Sequence, residues 1–267
     1  MTAPGSIRGV AGPRGRSYRR YRRPWWSRLI RTLVAFVVVV LCLSLAAFGA
    51  LMALTPSVSN ARLIAQAQAA AHHSAYPGPQ VPARFAAALE ATEDHRFTEE
   101  PGIDPVAVLR FLGGPLTSKN DQGGATIYQQ LAKMLYTPGQ AGLAVEAKQV
   151  ALAVKLKYGY TGDEILRLYA DVAYFGNNFY GLSAASCGYF GVTPARLSWA
   201  QAALMAGLVQ GPSADDPLTS PTRGRAREEH VIGRLVAVGE LTQSQADQAL
   251  AVPLSALLAN AGQGCRA

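Results

Sequence analysis

The sequence predicts a mainly helical domain carried on one transmembrane helix. Three observations predict it. Residues 32–54 form an uninterrupted run of 23 residues without a charge. Beyond Val81, apolar residues recur at intervals of three and four, Thr161 with Glu164 and Ser198 with Gln201 form capping boxes, and no strand alternation runs longer than a few residues. Finally, the basic charge is concentrated at one end of the chain rather than spread over a surface.

The 267 residues carry 25 Lys and Arg against 17 Asp and Glu, a net charge of +8. Nine of the arginines lie in the first 31 residues, which contain no acid, leaving 16 basic against 17 acidic residues from 32 onward. The body is near neutral, so no nucleic-acid partner is expected. As a helix the apolar run spans about 35 Å, enough for a hydrocarbon core of about 30 Å and longer than the apolar region of about 7–15 residues in a signal peptide. Trp25 and Trp26 suit the interface, and the arginines keep residues 1–31 as a cytoplasmic tail by the positive-inside rule. The bilayer is therefore a partner, and everything after Leu54 is expected outside.

Of the three cysteines, Cys42 lies in the span, while Cys187 and Cys265 face an exterior where a disulfide is permitted; the sequence leaves that pairing open. No Cys or His pair has metal-ligand spacing, so no metal site is expected.

Residues 55–80 read as a stem: 61–71 is alanine-rich and helical, and Tyr76-Pro77-Gly78-Pro79 breaks it. The outer domain is expected over 81–252. Pro82 suits a first helical turn, and Phe85, Leu89 and Glu93 follow four apart. A carboxylate on an apolar stripe has its charged form disfavoured, which suits a general base or acid. Glu93 paired with Arg96 at a helix end is the competing reading. Gly123-Gly124-Ala125-Thr126 leads into a helix over 127–135 with Ile127, Leu131 and Leu135 inward and Gln129 and Lys133 on another face. Two glycines before a helix start, followed by an amide and an ammonium, suit phosphate and sugar hydroxyls; an ordinary turn is the alternative. A helix over 145–158 aligns Lys148 and Lys155 along one edge, a solvated face or an anion clamp. Further helices are expected over 163–174, 202–209, 223–238 and 243–250, with an aromatic and glycine-rich loop at 175–181 and a C-terminal tail over 253–267.

The order of motifs is more specific than any one of them. Glu93-Asp94-x-x-Phe97, Gly102-x-Asp104, Gly123-Gly124-x-Thr126-Ile127-x-Gln129-Gln130-Leu131-Ala132-Lys133, Asp163-Glu164-Ile165-Leu166-x-x-Tyr169, Tyr174-Phe175-Gly176 with Tyr180-Gly181, Tyr189-Phe190-Gly191 and Gln210-x-Pro212 run colinearly over residues 81–235. This resembles the peptidoglycan glycosyltransferases, family 51 of the glycosyltransferases, in their monofunctional membrane-anchored form. The resemblance implies a lysozyme-like helical domain on the outer face of the cytoplasmic (inner) membrane. It implies polymerisation of lipid II into a nascent glycan strand, with inversion and release of undecaprenyl pyrophosphate. Glu93 would be the catalytic base. Asp94, Phe97, Arg110, Gly123, Gly124, Thr126, Gln129, Gln130, Lys133, Lys148 and Gln149 would bind substrate. No tightly bound cofactor is implied, although Mg²⁺ or another divalent ion often assists the leaving group in the family. Cell-wall synthesis or division proteins are the implied partners.

Of the departures from the family pattern, loss of the second carboxylate and two cations weakens the donor and pyrophosphate site most. Val145-Glu146-Ala147-Lys148-Gln149 stands where the family has Arg-Lys-x-x-Glu, Glu100 replaces a histidine, Ala125 a serine and Asp171 an asparagine. An amide at 149 hydrogen-bonds but carries no charge. The alternative function is therefore a degenerate relative that binds lipid II, or serves as a scaffold, without turning it over. A lytic enzyme would share the lone glutamate, but the Gly-Gly and Gln-Gln motifs belong to the synthetic family. No Ser-x-x-Lys occurs, so the chain carries no penicillin-sensitive transpeptidase.

Overall fold

The structure, a computed structural model, describes residues 25–99 and 126–265. The expected sites at Gly102, Asp104, Arg110, Gly123 and Gly124, with the departures Glu100 and Ala125, lie outside these residues. So does most of the arginine tail.

The chain divides into two compact units, Met1–Ala47 and Phe48–Ala267. The first described helix is α1, Trp25–Leu54, 30 residues with no acid in its first turn and none of its side chains buried. It is long and apolar enough to cross a membrane. The helix begins seven residues before the uncharged run, taking in Arg28 and Arg31. Arginine is a good helix former and its long stem lets the guanidinium reach back to polar surroundings, so the charge limit and the helix limit need not coincide.

The described residues of the second unit are mainly helical and contain no strand beyond the isolated bridge between Tyr174 and Tyr180. Its helices are α2 (Ala61–Ala71), α3 (Ala83–Glu93), α4 (Ile127–Tyr136), α5 (Leu143–Gly159), α6 (Gly162–Val172), α7 (Leu182–Phe190), α8 (Trp199–Leu208), α9 (Pro221–Ala237), α10 (Gln243–Leu250) and α11 (Leu254–Leu257). This fits the expected lysozyme-like helical domain behind one apolar helix. The capping boxes at Thr161 and Ser198 are present, each side chain accepting from the backbone three residues on. Two more occur, at Thr126 with Gln129 and at Thr242 with Gln245.

The stem is where structure and expectation diverge. Residues 61–71 are helical as expected, but Ala61, Ala65 and Ala69 are buried, and the helix packs on α6 and α4. An alanine stripe four residues apart reads as a spacer in sequence, whereas in the fold it lets two helix backbones come close. Gln68 donates to the Met134 carbonyl at 2.9 Å, and Arg62 pairs with Glu164. Lys155, one candidate clamp residue, is occupied, donating to the carbonyls of Thr55 at 2.6 Å and Pro56 at 3.1 Å. The packed body therefore begins well before Val81. Its C-terminal end is tied as well: Cys187 and Cys265 are joined, and the Gly262 amide donates to the Gly188 carbonyl at 2.8 Å.

One apolar core runs through this unit. Phe85 and Leu89 of α3, Ile127 and Leu131 of α4, Leu152 of α5, Tyr169 of α6 and Leu204 of α8 all contribute to it. Burying each aliphatic side chain contributes about 1.5–3 kcal/mol. Helix α8 lies against α3 and α9, and Arg234 of α9 donates to the Ala91 carbonyl at 3.1 Å, meeting the open end of α3. That contact fixes the last turn of α3, where Glu93 sits.

Candidate active site

Helix α3 ends at Glu93 because Asp94 leaves helical geometry, with φ −162° and ψ 73°. The Asp94 carboxylate is buried and accepts the amide of Ile127, the first residue of α4, at 3.1 Å. The free amides of a helix start favour an acceptor of this charge. One residue thus stops α3 and starts α4, and the junction places Glu93 beside the first turn of α4.

There the Gln130 amide nitrogen donates to Glu93 Oε2 at 2.6 Å, while Gln130 Oε1 accepts from the Tyr169 hydroxyl at 2.8 Å. Glu93 Oε1 makes no hydrogen bond among the described residues. Burial raises the Glu93 carboxyl above its ordinary range, and the Gln130 bond and the Arg227 charge pull it partly back. The apolar stripe did predict that direction, and the Arg96 pairing weighed against it is not made. Burial also raises the Tyr169 phenol far above its ordinary value, with the Glu93 charge adding to the effect.

Glu93, Gln130 and Tyr169 form one wall of a cleft of about 900 Å³. Lys133 and Met134 of α4 line it too, as do Tyr174, Tyr180, Gln210 and Pro212. Helix α2 contributes Gln68 and His72. The imidazole of His72 stacks on Tyr180, with ring centroids 3.5 Å apart and planes 5° from parallel, and Tyr180 lies 4.7 Å from Tyr174. Part of the loop expected over 175–181 does line the cleft, while Phe175 closes the core. Gly176 makes the turn at φ 89°, where a Cβ would run into the Pro212 carbonyl.

Of the expected site residues that are described, Glu93, Gln130 and Lys133 come together in this cleft. The others lie around it. Phe97 is buried and stacked on Tyr128 at 4.8 Å. Thr126 and Gln129 close a capping box: Thr126 Oγ1 accepts the Gln129 amide at 3.2 Å, and Gln129 Oε1 accepts the Thr126 amide at 3.2 Å. Gln149 donates to Thr137 Oγ1 at 2.8 Å, joining α5 to the turn after α4. Lys148 is half-buried on α5 and is not among the residues lining the cleft.

Three contributors escaped the sequence. Lys157 donates to Thr98 O and to the Tyr128 hydroxyl at 3.2 and 3.1 Å, which holds the turn after Glu93; a lysine outside the motifs gives no signal of this. His72 reached the cleft only because α2 folds back. The Thr126–Gln129 box had a signal, the same T-x-x-Q/E spacing found at Thr161. Among the described residues, no group of three or more His, Cys, Asp and Glu is arranged to hold a metal ion.

The helical body places one half-buried carboxylate on a cleft, and comparison with known proteins gives the family. The transglycosylase family model matches residues 60–236, and the chain belongs to that family. The match begins at α2, in agreement with the packing. Penicillin-binding protein 1A of Escherichia coli is 40% identical over 170 residues, 63% of this chain and 20% of that protein. A Cupriavidus necator protein provisionally named a transglycosylase is 32% identical over 233 residues, 86% of this chain and 97% of its own length. The solved structure of penicillin-binding protein 1A from Haemophilus influenzae aligns at 29% identity over 48% of this chain and 16% of that one, with a TM-score of 0.33. The chain thus spans about a fifth of the Escherichia coli penicillin-binding protein and nearly all of the Cupriavidus relative.

Proposed function

We propose that the protein is a peptidoglycan glycosyltransferase that polymerises lipid II at the outer face of the cytoplasmic membrane. The observation carrying this reading is Glu93: a carboxylate raised by burial, held at Oε2 by Gln130 and open at Oε1, on the wall of a large cleft. In the reaction Oε1 takes the proton from the acceptor 4-hydroxyl. That oxygen bonds to C1 of the donor sugar from the face opposite the lipid, the bond from C1 to the pyrophosphate oxygen breaks, and undecaprenyl pyrophosphate departs with the electron pair. Configuration at C1 inverts. Lys133, in the same cleft, supplies a positive charge toward the leaving pyrophosphate. The described cleft residues include one carboxylate and do not make a divalent-ion site, so no step is assigned to Mg²⁺.

A second reading is favoured by one observation, the amide at 149: Gln149 holds Thr137 and brings no charge. In that reading the protein binds lipid II without turnover. Incubating the full chain with lipid II separates the two. Polymer is expected, with Glu93→Gln lowering its rate by about 10²- to 10⁴-fold. Absence of polymer from the unsubstituted chain across detergents and divalent ions would leave only the binding role.

The orientation, with the arginine tail inside and the body outside, rests on the positive-inside rule. Protease added to intact cells is expected to cut the helical body. Protection of the body together with cleavage of the tail would reverse the topology.

A further inference from the structure

We propose that Gln68 and His72 form a subsite for a 2-acetamido sugar of the glycan substrate, on the wall that α2 gives to the cleft. This rests on the reading of the cleft as a site of glycan polymerisation.

The wall exists because α2 is fixed to the body. Ala61, Ala65 and Ala69 seat the helix, and Gln68 Nε2 donates to the Met134 carbonyl of α4 at 2.9 Å. The segment after α2 is tied as well: the Gly78 amide donates to Asp171 Oδ1 at 3.1 Å, and Arg167 Nη2 donates to the Gly78 carbonyl at 2.6 Å. His72 caps the end of α2, and its amide donates to the Gln68 carbonyl at 3.2 Å. Residues four apart stand on one helix face, a turn from each other. Both line the cleft. The stack on Tyr180, with planes 5° from parallel, sets the plane of the His72 ring.

The polar atoms of this pair are left for a ligand. A backbone carbonyl can only accept, so the Gln68 nitrogen must be the end that faces Met134, and Oε1 is the end that remains. Among the described residues neither Gln68 Oε1 nor a ring nitrogen of His72 makes a hydrogen bond. Stacking covers the faces of an imidazole and leaves its N–H at the edge. The subsite therefore offers an acceptor and a donor on separate atoms, one turn apart. An acetamido group has the complementary pair, an N–H and a C=O on separate atoms. Met134 and Pro138, in the same cleft lining, supply apolar surface for its methyl. A phosphate oxygen would set a second acceptor against Gln68 Oε1, which disfavours an anion here.

The test uses the full chain in detergent micelles with the tetrasaccharide of β-1,4-linked N-acetylglucosamine, and the corresponding glucose tetrasaccharide as its control. Affinity is read from saturation transferred to the sugar protons. Contact is read from the ¹⁵N shifts of the His72 ring, assigned by their loss in His72→Gln. The acetamido sugar is expected to bind about five- to tenfold more tightly than the glucose sugar and to move the His72 nitrogens. His72→Phe keeps a ring against Tyr180 and removes the nitrogens. It is expected to weaken the acetamido sugar by the same factor and to leave the glucose sugar unchanged. With lipid II, it is expected to raise KM more than it lowers kcat. A role for His72 in packing alone would be rescued by phenylalanine.

Equal affinity for the two sugars, binding of neither, or acetamido-sugar affinity unchanged in His72→Phe overturns the proposal. Inorganic pyrophosphate that moves the His72 nitrogens where the sugar does not assigns the ring to an anion and overturns it too. Should His72→Phe fail to fold, the ring shifts of the unsubstituted chain still decide, and their absence with the acetamido sugar overturns the proposal. Sugar bound at His72 without polymer formation removes the polymerase reading alone; polymer formation with His72 untouched by sugar removes the subsite alone.

Discussion

Two polar contacts flank helix α4, and they are built differently. On one side Glu93, Gln130 and Tyr169 form a continuous chain, with an ionisable group at the cleft and a buried phenol at the far end. On the other, Gln149 and Thr137 are a neutral amide on a hydroxyl, closing the turn between α4 and α5. Both are held by hydrogen bonds. Only the first keeps a charge at the cleft. An amide can take over the structural half of a carboxylate's work, because it still donates and accepts, but the electrostatic half disappears with the charge.

Substitution separates the two sides most sharply at their ends. Glu93→Gln is expected to cost the full factor of about 10²–10⁴ in polymer formation. Gln149→Ala is expected to cost no more than about fivefold, the worth of one neutral hydrogen bond of about 1 kcal/mol. Equal losses would show that the two sides act as one unit.

Glu228 tests whether burial alone marks a working carboxylate. Its side chain is fully buried on α9, Oε1 has no partner, and Oε2 meets Arg225 at 3.1 Å. Burial pushes it up to about 7, Arg225 pulls it down, and Glu229 pushes it up. In contrast to Glu93, it is absent from the cleft lining. The sign follows from the raised value. Between the ordinary 4.5 and about 7, the folded protein keeps a proton that the unfolded chain releases, so stability falls as pH rises through that window. Glu228→Gln removes the fall. A gain on the order of 2 kcal/mol is expected at pH 8 and little change at pH 4.5, read from thermal unfolding, with polymer formation unaffected. A gain that is independent of pH would assign the effect to packing instead.

The smallest effect is expected from restoring the missing charge. Gln149→Glu should raise the polymerisation rate about two- to fivefold, the scale of one partly exposed charge. The Thr137 hydroxyl can donate to the new carboxylate, so the turn is expected to hold. An unchanged rate would show that the second carboxylate's role has moved to another group.

The helices themselves were legible, because their signals are local. Phe85, Leu89 and Glu93 mark α3, and Thr161 with Glu164 starts α6 to within a residue. Helix α7 was missed: Gly181, Gly188 and the neighbouring aromatics carry no clear period, and its end at Gly191 depends on a left-handed residue at φ 66°. The site was legible in part. Motif order singled out Glu93, Gln130 and Lys133, which meet in the cleft. The same resemblance grouped Asp94, Phe97, Thr126 and Gln129 with them, although in the fold these residues build the α3–α4 junction and its first turn. A motif records which positions matter together, and says nothing about which of them face the substrate and which hold the others in place.

By itself the sequence determined an N-terminal basic tail, one apolar span, a chain of capped helices and a single glutamate on an apolar stripe. The tail and the span rest on composition along a continuous stretch, and the helices and the glutamate on spacing within about one or two helical turns. Tertiary structure decided that α2 belongs to the body and brings His72 to Tyr180. It also decided that Gln130 bridges Glu93, 37 residues before it, and Tyr169, 39 residues after it. Contacts of that kind depend on how helices cross, and crossing is set by the whole core at once. The charge of Glu93 is therefore a property of one residue, while its direction in space belongs to three helices.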